Sequence, residues 1–149
     1  SDMLKHEYMK LTINLATKII TYMRKSTQAI QYIRARINNH TFRFSLPTFT
    51  RWNSFFVSLQ QIQNKEQYLK DMAYEMESRL DKNIITILKD NIFWHHLRNI
   101  VRILEIYSLI PIILESRQAT FADTVYLWAR MQIMVNTIDD INFQQYVST

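Results

Sequence analysis

An all-α bundle of about five to seven helices, two of them long, is the fold this chain predicts. Three observations lead there. The 149 residues contain no glycine and only two prolines, at 47 and 111, so long stretches carry no backbone breaker. Apolar residues recur at three- and four-residue steps over most of the length, the period of a half-buried helix. Hydrophobic residues make up 48% and aromatics 13%, enough to bury a core and too much for a disordered chain. One domain over 1–149 follows, divided as a basic helical segment at 1–38, a connector at 39–49, a helical bundle at 50–136 and a tail at 137–149.

From Met3 to about Asn38 the stripe runs Leu4, Tyr8, Leu11, Leu15, Ile19, Tyr22 or Met23, Ile30, Ile33 and Ile37, with an interruption near Ser26-Thr27. This predicts one long helix, or two with a break there, ending at Asn38-Asn39. Residues 39–49 alternate Phe42, Phe44 and Leu46 and include Pro47, so an extended connector is expected, with an edge strand as the alternative. Thr50 is a suitable N-cap for a helix carrying Trp52, Phe55, Phe56, Leu59 and Ile62. Asn64 with Gln67 resembles a capping box that restarts or kinks the helix, after which Tyr68, Leu69, Met72, Met76 and Leu80 continue the stripe. A shorter helix is expected over Asn83–Lys89. Asp90-Asn91 then caps a long one from Ile92 to about Ser116, kinked at Pro111. Thr120 with Asp123 opens a last helix to about Asn136. The predicted core includes Leu15, Ile19, Ile33, Phe55, Leu59, Leu97, Val101, Leu104 and Trp128.

Composition removes several classes of function. A glycine-free chain has neither a Walker loop nor a Rossmann fingerprint. Without cysteine there is no disulfide framework and no thiolate zinc site, a usage that fits an intracellular protein. The longest apolar run, Ile106 to Leu114, is shorter than the roughly 20 residues a membrane span needs, and the N-terminus lacks a signal-peptide layout. Neither membrane nor small-molecule cofactor is expected as a partner.

Charge is distributed unevenly. Residues 1–51 hold nine Lys and Arg against two acids, a net of +7, and residues 52–149 hold nine against eleven, a net of −2, which together give the overall +5. Such a basic first third points to an anionic partner, with a solvated helix face as the alternative. Lys18, Arg24, Lys25 and Arg34 are the candidates on its helical part. Arg51-Trp52 adds a guanidinium beside an indole, a pair able to stack on an unpaired base while neutralising phosphate; the plainer reading is a helix start with a buried ring.

No catalytic or metal constellation emerges. His95 and His96 are neighbours about 100° apart around a helix, poorly placed to share one ion, and His6-Glu7 lacks the second His of a zincin motif. Glu105, Glu115 and Asp123 are spread along two helices, and Asp139-Asp140 lie in the tail. Two-metal chemistry needs several carboxylates converging on ions about 4 Å apart.

Thr50-Arg51-Trp52-Asn53-Ser54, followed by Phe93-Trp94, Leu97, Leu104-Glu105, Leu114-Glu115-Ser116, Ala119-Thr120, Ala122-Asp123 and Leu127-Trp128, resembles the helical region of hAT-family DNA transposases. The match covers about 50–63 and 92–131. Ahead of it, Ile13-Asn14-Leu15 stands where the family has an Asn-Leu pair, but Tyr8 and Leu11 occupy its Cys and His positions, and Ile106 replaces a common Pro. The resemblance implies the all-α insertion of a ribonuclease-H-like transposase, with Trp52 close to the active site and the transposon end. It implies three catalytic acids on a flanking α/β core that no stretch here matches, so no catalytic residue is assigned. The expected function is a non-catalytic or domesticated helical domain, nuclear or otherwise intracellular, that engages DNA through Arg51, Trp52, Lys18, Arg24, Lys25 and Arg34 or scaffolds a transposase core. The alternative is a protein–protein interaction module that self-associates or binds another protein.

Overall fold

The computed structural model describes residues 2–47 and 52–115, with side chains placed over 7–47 and 54–106. Among the described residues six helices follow one another: α1 (Asp2–Lys25), α2 (Thr27–Ile37), α3 (Trp52–Asn64), α4 (Glu66–Glu75), α5 (Lys82–Lys89) and α6 (Asn91–Glu115). Among the described residues there is no strand, so the described part of the connector, up to residue 47, is irregular chain and not an edge strand. The two long members are α1, with 24 residues, and α6, with 25.

Each boundary has a local cause. Ser26 separates α1 from α2 by taking extended dihedrals, φ −91° and ψ 108°, and its hydroxyl accepts the Ala29 N–H at 3.2 Å. That bond satisfies one of the first-turn donors an N-terminus leaves open. α2 stops where Asn38 turns left-handed at φ 53°, the one positive φ among the described residues. In a chain without glycine, Asn is the residue that tolerates this conformation at least cost. The N–H groups of Asn38 and Asn39 both reach the Arg34 carbonyl. Asp81 caps α5 by accepting from Asn83 and Ile84, and the Asp90 carboxylate accepts from the Ile92 N–H at 2.9 Å as α6 begins.

Two expected boundaries differ. The restart after α3 is centred on Lys65, which offers no side-chain cap, and Gln67 donates to Asp71 at 2.9 Å, so the Asn64–Gln67 capping box does not form. The stripe through Met76 and Leu80 does not extend α4, which ends at Glu75; a turn closed by Arg79 N–H on the Met76 carbonyl carries Leu80 back into the core. α6 runs as one helix through Pro111. Thr50, the Thr120 helix, Trp128 and the tail lie outside the described residues.

α6 is the central element, packed along α3 and then against α1 and α5. Its buried face is Phe93, Trp94, Leu97, Ile100, Val101 and Leu104, the spacing of an apolar helical stripe. Trp94 is fully buried and donates its indole N–H to the Leu88 carbonyl at 2.8 Å, which closes the α5–α6 corner. Ile19, Ile33, Phe55, Leu59, Leu97, Val101 and Leu104 are buried as expected, while Leu15 is only partly buried.

The phase of α1 is the correction. Its buried face is Tyr8, Thr12, Ala16, Ile19, Ile20 and Met23, and Leu11 is 51% exposed. Ala16 is small enough for a neighbouring helix to come close, and Thr12 silences its hydroxyl on the Tyr8 carbonyl at 2.9 Å, so a polar residue occupies an inward position at little cost.

Candidate nucleic-acid interface

The connector turns the basic first third into a shaped surface. After Asn39, whose side chain accepts from the Thr41 N–H, the chain returns along α1 and α2 and buries Phe44 completely. Phe42 meets Phe44 edge-on with centroids 4.9 Å apart. Arg43, between these two inward aromatics, is exposed.

Two of the predicted basic residues hold this strap in place. Arg24 donates from Nη1 to the Phe44 carbonyl at 2.7 Å, and Arg34 donates from Nε to the Phe42 carbonyl at 2.8 Å. Further along, Ser45 N–H donates to the Gln61 side chain on α3 at 2.9 Å. Both arginines are half-buried, and each spends one donor on a carbonyl while the rest of its guanidinium stays available.

Two hollows open beside the last turns of α1. The smaller, about 220 Å³, is lined by Arg24, Arg34 and Arg43 together with Met23, Ser26, Thr27 and Ile30. The larger, about 490 Å³, lies between α1 and α5, with Tyr22, Ile84 and Ile87 along it and Lys18, Lys25, Asp81 and Asn83 among its polar groups. Asp81 is already engaged in capping α5. Lys18, Arg24, Lys25, Arg34 and Arg43 form no ion pair with a carboxylate among the described residues, whereas Arg36, Lys70, Lys89 and Arg98 do.

Those paired cations show how the remaining charge is absorbed. Arg36 stacks 4.3 Å from the Tyr32 ring centroid and bonds Glu75, which also accepts from the Tyr32 hydroxyl at 2.6 Å. Burial, reinforced by the Glu75 carboxylate, raises the Tyr32 pKa above its ordinary value. Glu66 bridges α4 to α6, accepting from Lys70 and Arg98. Burial acts to raise its pKa, but these two cations outweigh it and hold the carboxyl below the usual range.

The sequence-predicted site is therefore only partly assembled. Arg24 and Arg34 come together on one hollow and Lys18 with Lys25 on the other, all near the end of α1. Arg51 lies outside the described residues. Trp52 is the first described residue of α3, and its side chain is outside the described set. Arg43 and Thr27 are additional members. The Phe-Arg-Phe alternation was the available signal for Arg43, but only the fold shows that the connector brings it to Arg24 and Arg34.

Among the described residues no group of three or more His, Asp or Glu converges as a metal site, and no helix is long and apolar enough to cross a membrane. His95 and His96 diverge, with ring centroids 6.2 Å apart. His96 is 5% exposed, packed 4.6 Å from the Tyr8 ring, and its Nε2 has no hydrogen-bond partner. Burial, with the neighbouring His95 charge, lowers its pKa. No family model, curated protein or solved structure matches this chain.

Proposed function

We propose that this chain is a non-catalytic helical domain of hAT-transposase descent that engages DNA through the basic surface of α1, α2 and the connector. One observation carries the reading. Five cations of the first third, Lys18, Arg24, Lys25, Arg34 and Arg43, gather on two neighbouring hollows, and among the described residues no carboxylate is ion-paired to any of them. Like charges held close on a folded surface repel, and an external polyanion relieves that repulsion. Phosphate contacts of this kind position a protein on DNA without specifying sequence. The transposase descent is supported by the order of the motif residues, of which Trp94, Leu97 and Leu104 are buried on α6.

The rival reading, a protein-interaction module, is favoured by the α1–α5 hollow. Its Tyr22, Ile84 and Ile87 offer apolar surface, and about 490 Å³ lies within the roughly 300–1,000 Å³ usual for a ligand pocket. A salt titration of DNA affinity separates the two. If the DNA reading holds, affinity for a short duplex falls steeply between about 50 and 200 mM salt, the log–log slope steepening by about 0.9 for each phosphate neutralised. Undetectable binding at low salt would remove the DNA reading and leave the interaction module.

A further inference from the structure

We infer that the hollow bounded by Arg24, Arg34 and Arg43 is a socket for a single phosphate group. The source of that phosphate, a nucleic-acid backbone, rests on the DNA reading above; the socket itself rests on its own chemistry. Three guanidinium side chains line one space of about 220 Å³, and no carboxylate is among its lining residues. That volume is below the range that holds a whole drug-sized ligand and suits one oxyanion with its water. Arg24 and Arg34 are aimed before any ligand arrives, because each is tied by one N–H to a connector carbonyl, Arg24 to Phe44 and Arg34 to Phe42. The remaining N–H groups of a planar guanidinium match phosphate oxygens in pairs. Arg43 makes no such tie and lies exposed at the same hollow, able to close on an anion held by the other two. Ser26 and Thr27 add hydroxyl-bearing side chains to the wall, although the Ser26 oxygen already accepts from Ala29.

The anchoring bonds also account for why these arginines are half-buried, so a purely structural role must be separable. Arg43→Gln separates it, since Arg43 holds none of the connector bonds. The whole chain is titrated with inorganic phosphate at constant ionic strength, and the amide NMR signals of Thr27 and Arg43 or its replacement are followed. Saturable shifts are expected. Arg43→Gln is expected to weaken the apparent affinity about tenfold, as removal of one charge-assisted hydrogen bond does. Arg102→Gln, the same charge change on exposed α6 surface, is expected to leave affinity within about twofold. Absence of saturable shifts, or equal weakening by the two substitutions, overturns the socket. A short DNA duplex is then added to the phosphate-loaded protein. Displacement of the phosphate-induced shifts identifies the occupant as a backbone phosphate. Saturable phosphate binding that the duplex does not compete with keeps the socket, as one for a small phosphorylated ligand, and counts against the DNA reading alone.

Discussion

His96 shows most directly how one residue links burial to behaviour. An imidazole with an unpartnered Nε2, packed on Tyr8 at the contact between α1 and α6, is held neutral because a charged ring there would lose its hydration. The groups acting on it are His95, which lowers its pKa further, and Asp90, which raises it weakly. With the folded pKa below the ordinary 6.5, the unfolded chain takes up the proton first. The His96 contribution to stability is therefore complete above about pH 6.5 and is lost as pH falls toward and through the folded pKa, at a slope of at most about 1.4 kcal/mol per pH unit. Urea unfolding at pH 7.5 and 5.5 checks this. His96→Phe should lose less stability between the two than the parent chain, and an equal loss would assign the acid sensitivity to other groups. Sequence alone marked the histidine pair as unsuited to a shared metal. Which of the two turns inward depends on where Tyr8 packs, and no local pattern encodes that.

At the scale of helices, periodicity located the elements well and their inward faces less well. α2 and α5 begin and end, and α6 begins, within a residue or two of expectation because Ser26, Asn38, Asp81 and Asp90 act on their own backbone neighbours. α1 differs because its inward face is set by partners from four later helices, which favour small Ala16 and self-satisfied Thr12 over the larger Leu11. A pair of substitutions measures the corrected phase. Leu59→Ala, at a fully buried α3 position, should cost about 2–5 kcal/mol. Leu11→Ala, at a position 51% exposed, should stay within about 0.5 kcal/mol. Denaturant midpoints give both values, and a large destabilisation at Leu11 would reverse the assignment of the α1 face.

Across the whole molecule the division of charge is the property with functional reach. The +7 of residues 1–51 and the −2 of the remainder were legible by counting. The fold adds that Lys70, Lys89 and Arg98 are absorbed by Glu66 and Glu77, while Lys18, Arg24, Lys25 and Arg34 form no ion pair among the described residues. Replacing those four by Gln should flatten the salt dependence of DNA affinity, by up to about 0.9 in slope for each phosphate no longer neutralised. Because Arg24 and Arg34 also anchor the connector, Lys18→Gln with Lys25→Gln is the version that leaves the strap bonds intact. The pair Lys70→Gln and Lys89→Gln should leave the slope nearly unchanged. Equal effects from the two lysine pairs would show that the charge asymmetry does not mark the binding surface.

What the sequence determined by itself is whatever acts over one or two helical turns: the helical class, the breaks at Ser26 and Asn38, the excess of positive charge. Neighbouring residues decide these through caps, periodicity and the absence of glycine, so no distant partner is needed to read them. Tertiary structure alone decided which arginines share a space. Arg24, Arg34 and Arg43 lie on three different segments, and they meet because buried Phe44 draws the connector back over α1 and α2, where two carbonyls capture two of the guanidinium groups. That convergence depends on how three consecutive segments fold back on one another, and a linear pattern records only that each of them is basic.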